Sequence, residues 1–162
     1  MMCGNGLRLT IELIPSQAWF QSLHNYYSES GQSAKWRKIK EEIFAKEGKK
    51  CFICERSDVR LEAHEFWEYD DITHVQKLVS IHHLCGLCHK VKHIGFWCYT
   101  DDGAELLRKM NLSRDDLGEH FCEVNSCTGK IFEEHLLESF ETWEKRKKYE
   151  WTQELGDYNI NP

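Results

Sequence analysis

The sequence predicts an α+β fold: a metal-braced strand–loop–strand–helix module between an N-terminal strand and helix and a C-terminal helical extension. Three observations predict it. Two Cys-x-x-Cys pairs, Cys51/Cys54 and Cys85/Cys88, enclose about the length of a hairpin. Alternating apolar residues, the mark of strands, lie in that interval. Apolar residues at helical spacing fill most of the chain beyond Cys88.

Along the chain, Leu7 to Leu13 alternates apolar and polar residues and reads as a half-buried strand ended by Pro15. Residues 16–33 are polar and irregular apart from Trp19, Phe20, Leu23, Tyr26 and Tyr27. From Ala34 to Lys46, Trp36, Ile39, Ile43 and Phe44 recur as on a helix, and Gly48 supplies its stop. Val59 to His64 and Lys77 to Ile81 read as partner strands separated by an acidic aromatic loop. Cys88 to Ile94 reads as a short helix capped by Gly95, which would set His89 and His93 on one face.

Further on, Asp101 to Met110 is helical, Ser113 is an N-cap for a segment ending near Val124, and a long helix covers Lys130 to Tyr149. Its stripe of Ile131, Phe132, Leu136, Leu137, Phe140 and Trp143 reads as core. The division expected is 1–50 for the N-terminal extension, 51–97 for the module and 98–162 for a helical extension on the same core.

The cysteine pairs carry the chemistry. Four thiolates in two-residue-gap pairs suit a tetrahedral Zn2+, and such a closed site has no open position for water or substrate. His64, His89 and His93 are therefore available to a second divalent ion. Cys98, Cys122 and Cys127 with His120 have looser ligand gaps and read as free buried cysteines, and Cys3 as a bystander.

The 162-residue chain is 41% apolar and 30% charged, the composition of a globular protein rather than a disordered or membrane one. No stretch has the roughly 20 apolar residues that span a bilayer. Paired cysteines beside histidines point to metal rather than disulfides, and the expected location is cytoplasmic. A net charge of −6 argues against indiscriminate nucleic-acid binding, yet residues 35–50 hold seven Lys or Arg against three Glu, a local +4. Lys35, Arg37, Lys38, Lys49 and Lys50 in that stretch, with Lys90 and Lys92, are the candidate phosphate contacts, and Lys145 to Lys148 form a second basic run.

The stretch from Cys51 to His93 resembles the HNH endonuclease superfamily, whose ββα-metal (His-Me finger) domains often carry such a cysteine frame. Leu61-Glu-Ala-His64-Glu65-Phe-Trp67, then His74-Val-Gln76-Lys-Leu78, then Leu84-Cys85-x-x-Cys88-His89-Lys-Val-Lys92-His93-Ile-Gly95 are similar to small bacterial and phage proteins of that superfamily. The similarity extends to the Leu-Thr-Ile-Glu-Leu-Ile-Pro segment followed by Trp19, and to His120-x-x-x-Val124-Asn125 and Trp143-x-x-Arg146 with Trp151.

The resemblance implies a metal-dependent nuclease acting on nucleic acid, DNA in the first instance. It implies Cys51, Cys54, Cys85 and Cys88 as structural zinc ligands and His89 as a ligand of a catalytic ion such as Mg2+, Mn2+ or Ni2+. His64 is either a metal ligand with Glu65 as general base, or itself the base. Ser80 stands where the superfamily has its central Asn; His93, Glu65 and Asp70 are candidates to complete the ligand count, and Asn125 to supply an amide. The alternative is a degenerate module that keeps its zinc and binds nucleic acid or a protein partner without cutting, with Trp67, Tyr69 and Trp97 as an interaction patch.

Overall fold

The computed structural model describes residues 6–15 and 22–160, so Cys3, Trp19 and Phe20 lie outside the described residues. Among these, seven α-helices and one three-stranded sheet give the mixed α+β architecture. The helices are α1 (Leu23–Glu29), α2 (Ser33–Glu47), α3 (Gly86–Lys92), α4 (Ile94–Tyr99), α5 (Asp101–Lys109), α6 (Arg114–Asn125) and α7 (Gly129–Arg146). The strands are β1 (Leu61–Asp70), β2 (Val75–Cys85) and β3 (Thr152–Glu154), in the order β1-β2-β3.

The hairpin is longer than its sequence suggested. Glu65 to Asp70, expected as loop, continues β1, because its aromatic residues pack well on a pleated surface and find partners from Trp67↔Leu78 to Asp70↔Val75. A register shift between Phe66 and Trp67 adds one residue to β2. The turn is closed by Asp70, whose Oδ1 accepts the Ile72 and Thr73 amides at 2.9 and 3.0 Å. β3 was not anticipated; it runs parallel to β2, pairing Val75 with Thr152, and leaves β1 as a free edge.

Two cores flank the hairpin. The larger joins Leu9 and Ile11 to Cys51, Leu84, Cys88 and Val91 and to Leu107, Leu117, Phe121, Phe132 and Leu136 of the C-terminal helices. The smaller packs Leu23, Tyr27 and Trp36 on Leu78 and Ile81, with Leu155, Tyr158 and Ile160 closing over it. Residues 23–29, expected to be irregular, form α1, N-capped by Ser22 and buried through Leu23 and Tyr27. Of the α7 stripe, Phe132 and Leu136 are buried, whereas Ile131 and Leu137 are exposed, Leu137 at 63%.

Helix ends obey local chemistry. The α2 C-cap Gly48 adopts φ +80, the left-handed region that glycine enters without a Cβ clash. Ser113 caps α6 in a reciprocal capping box with Asp116. Gly95 does not cap α3; it lies inside α4, and the α3 C-cap is His93. α4 and α5 meet closely, since a Cβ at Gly103 would collide with the Phe96 carbonyl.

Leu7 to Leu13 is not a strand of the sheet, and the chain bends at Arg8 and Leu9. Its polar groups are met by other means: Asn125 Oδ1 accepts the Arg8 and Leu9 amides at 2.8 and 3.0 Å, and Asn125 Nδ2 donates to the Leu9 carbonyl at 2.8 Å. His135 Nε2 accepts the Ile11 amide at 3.0 Å, and the Glu12 amide donates to the Lys92 carbonyl at 2.9 Å. A buried segment must satisfy its backbone somewhere, and here side chains take the place of a neighbouring strand.

Candidate metal centres

The four motif cysteines converge. Their sulfurs lie within 4.8 Å of one another, with Cys54 Sγ and Cys85 Sγ at 3.5 Å. Cys51 and Cys54 sit in a tight turn in which the Cys51 amide donates to Arg56 O at 2.8 Å, and the Phe52 amide ties that turn to β2 through His83 O at 2.9 Å. Cys85 ends β2 and caps α3, its sulfur accepting the Cys88 amide at 3.4 Å. The cluster thus joins turn, strand and helix at one point.

Crowding splits the acidities of Cys51, Cys85 and Cys88. Hydrogen bonds from Cys85 and Cys88 hold Cys51 far below the usual thiol range, while Cys51 in turn pushes Cys85 up to about 11 and Cys88 up as well. A dication removes that conflict by letting every sulfur ionise, so the donor set fits a closed zinc site. His120 Nε2 stands 3.2 Å from Cys88 Sγ, within hydrogen-bond reach of it from α6. His120 therefore belongs beside this cluster; with Cys98, Cys122 and Cys127 it makes no ligand group among the described residues.

The second convergence is of imidazoles. His64 on β1, His89 on α3 and His93 at its C-cap offer ring nitrogens all within 4.8 Å of one another. Ring centroids are 5.2 Å apart for His64–His89 and 4.9 Å for both His64–His93 and His89–His93. His89 and His93 are four apart across the helix end, so one turn of α3 presents both to β1.

Two carboxylates hold two of these rings. Glu12 Oε2 is 3.1 Å from His64 Nε2, and Glu62 Oε2 is 2.6 Å from His89 Nδ1. Burial alone would raise the Glu12 carboxyl, but the His64 hydrogen bond and the Lys92 charge bring it below the usual range. At Glu62 burial is likewise overcome by His89. Burial, then the neighbouring His64 charge, lowers His89, and burial with His64 and His89 lowers His93 well below its ordinary value. Neutral imidazole is the form that donates a lone pair to a cation. His64 is 2% exposed, and its Nδ1 is buried without a hydrogen-bond partner. His83 Nδ1 and His120 Nδ1 share that condition, but neither belongs to a three-imidazole group.

Strand alternation sends His64 and Glu65 to opposite faces of β1. Glu65 Oε1 accepts the Leu23 amide at 2.8 Å, and a cavity around the free edge of β1 is lined by Glu12, Glu65, His89 and His93 together. Asp70 serves the hairpin turn and the Asn125 amide serves residues 8 and 9, so neither supplies this cluster, contrary to the expectation from sequence. Ser80 pairs with Phe66 in the sheet.

The expected phosphate contacts divide. Lys35, Arg37, Lys38, Lys49 and Lys50 are exposed, with Lys38 paired to Glu42 at 3.8 Å and Lys50 to Glu55 at 3.1 Å. Lys90 lies 4.8 Å over the Trp97 ring. Lys92 is a correction: it is 4% exposed, donates to Thr10 Oγ1 at 2.9 Å and lies 3.9 Å from Glu12, so it is an internal counter-charge and not a surface contact. In the second run, Arg146 makes a two-pronged bond to Asp71 at 2.7 and 2.9 Å. Trp67, Tyr69 and Trp97 are half-buried; Trp67 packs on the smaller core and Tyr69 against Trp151.

Sequence motifs located both clusters but missed Glu12 and Glu62, and grouped His120 with Cys98, Cys122 and Cys127 rather than with Cys88. Glu12 and Glu62 are polar positions in alternating stretches, a pattern that ordinarily means solvent-facing, and only the packing of α3 on β1 turns them inward. No helix among the described residues is long and apolar enough to cross a membrane. No family model, curated protein or solved structure matches the chain.

Proposed function

We propose that this chain is a metal-dependent nuclease of the HNH, ββα-metal type, in which His64, His89 and His93 hold one divalent ion and DNA is the substrate. One observation carries the reading: three imidazoles converge, two of them, His89 and His93, lining a cavity, and the third, the buried His64, presents a ring nitrogen with no other partner. The hairpin leading into α3, the thiol cluster at their junction and the motif resemblance support the same assignment.

The ion would supply Lewis acidity and positive charge where negative charge builds on the phosphate and the leaving oxygen. The residues do the rest. With His64 among the ligands, Glu65 is assigned the proton of the attacking water: it lines the same cavity as His89 and His93, although it leaves β1 on the face opposite His64. Its hydrogen bond from Leu23 holds that carboxylate in place. Three nitrogen ligands favour Mn2+, Ni2+ or Zn2+ over Mg2+, which prefers oxygen.

The second reading, a zinc module that binds nucleic acid or a protein partner without cleavage, is favoured by the fate of the basic residues: Lys92 is internal, and Lys38 and Lys50 are paired with glutamates. Cleavage of plasmid and single-stranded oligonucleotide by the purified chain, with each divalent ion, separates the two. His64→Ala and His89→Ala are expected to lower the rate by on the order of 100-fold or more. Equal rates in wild type and both variants would sink the nuclease reading.

A further inference from the structure

A neutral imidazole carries one N–H and one lone pair, so the nitrogen that donates a hydrogen bond dictates which nitrogen is left for a cation. At His64 the nitrogen facing a carboxylate is Nε2, 3.1 Å from Glu12, and at His89 it is Nδ1, 2.6 Å from Glu62. An ionised carboxylate only accepts, so these two nitrogens bear the protons. The lone pairs are left on His64 Nδ1 and His89 Nε2. The first of these is the buried nitrogen without a partner.

We infer that Glu12 and Glu62 are positioning residues that lock His64 and His89 into opposite tautomers, so that His64 Nδ1, His89 Nε2 and a His93 ring nitrogen form a preset face for a transition ion rather than Mg2+. The inference rests on the three-imidazole site proposed above and extends it to two residues outside the ligand group, since neither carboxylate is among the atoms that converge within 4.8 Å. Metal-binding histidines commonly donate their far N–H to a carboxylate, which fixes the ring and raises its basicity as a ligand.

The two carboxylates reach their rings from different directions. Glu62 is two residues before His64 on the same face of β1, so the strand that carries one ligand also carries the partner of another. Glu12 comes from the N-terminal segment, far away in sequence. Asn125, His135 and the Lys92 carbonyl clamp that segment, and Lys92 Nζ, buried between Thr10 and Glu12, balances the carboxylate charge. The N-terminal segment is thus a structural arm of the imidazole site.

Two measurements on the full chain holding its thiol-bound zinc test this. Long-range 1H–15N spectra, recorded before any second ion is added, are expected to show His64 protonated at Nε2 and His89 at Nδ1; the reverse tautomer at either ring overturns the inference. Co2+ is then titrated by calorimetry and visible absorption into wild type, Glu12→Gln and Glu62→Gln. Both variants are expected to bind on the order of 10–100-fold more weakly than wild type, with zinc content unchanged and excess Mg2+ unable to displace Co2+ from wild type. Unchanged affinity in both variants, or no Co2+ binding by wild type, overturns it. Should Glu12→Gln fail to fold, Glu62→Gln, a half-exposed side chain, decides the matter. Neither readout depends on cleavage, so an inactive protein with the stated tautomers and Co2+ affinities would defeat the nuclease reading and leave this inference standing.

Discussion

Cys88 and His89 are neighbours in α3, yet the clusters they belong to are built in opposite ways. The thiol cluster takes all its atoms from two short motifs, is mostly buried, and has four donors that can enclose an ion. The imidazole cluster takes three donors from β1 and α3 with its C-cap, borrows carboxylates from Glu12 and Glu62, and reaches a cavity through His89 and His93. Closure on one side of the helix and an open position on the other is the division between structural and reactive metal sites. The first cluster fixes where α3 starts relative to β2; the second exploits where α3 ends relative to β1.

If that division holds, the two sides respond differently to loss of one ligand. Cys88→Ala is expected to cost the chain its zinc and its cooperative unfolding, because structural zinc in small modules contributes about 10–16 kcal/mol, comparable to or greater than a domain's whole stability. His89→Ala, a half-exposed ring at the open site, is expected to keep the zinc and shift the melting midpoint by a few degrees at most. Metal analysis and thermal circular dichroism of both variants check this. Similar melting in the two would erase the distinction between brace and site.

The same contrast explains what could be read from sequence alone. Two Cys-x-x-Cys pairs are local signals, and so is the four-residue gap between His89 and His93; these gave the thiol cluster and the helical side of the imidazole cluster. α2, α5, α6 and α7 were legible from apolar periodicity and cap residues such as Gly48 and Ser113. Partners separated by most of the chain left no such trace. Glu12 lies 52 residues from His64, and Asn125 lies 116 from Leu9. The Leu7 to Leu13 pattern was that of a strand, but the segment pairs with no strand of the sheet, and its amides go to Asn125, His135 and the Lys92 carbonyl instead. Lys92 looked like a phosphate contact because a lysine beside histidines in a short helix gives no hint that it faces Thr10 and Glu12.

A gentler perturbation sharpens the comparison by acting on the imidazole side only through its supporting arm. Asn125→Ala removes the acceptor for the Arg8 and Leu9 amides and the donor to the Leu9 carbonyl. The expected cost is about 1–3 kcal/mol, the scale for leaving buried backbone groups unsatisfied. Amide exchange at Leu9 and Ile11 should quicken while the zinc content stays as in wild type. Unchanged exchange at both amides would show that the arm is held by something other than this side chain.

The smallest effect expected is a pH dependence at the other clamp of the arm. His135 Nε2 accepts the Ile11 amide, so the ring is neutral there, and protonation would turn the acceptor into a donor facing a donor. Burial keeps His135 below its ordinary 6.5; the Glu138 charge opposes that and the Lys92 charge adds to it. A histidine depressed in the folded state takes up its proton more readily once unfolded, so its contribution is whole above about pH 6.5 and fades as the pH falls below that value. In His135→Gln the amide oxygen can accept the same bond and cannot titrate, so urea unfolding between about pH 8 and about pH 5.5 should show wild type losing more stability than the variant. Any acid release of a metal ion held by the thiol cluster would be common to both proteins and would cancel in that difference. Parallel pH profiles would place the arm's hold elsewhere than on this ring.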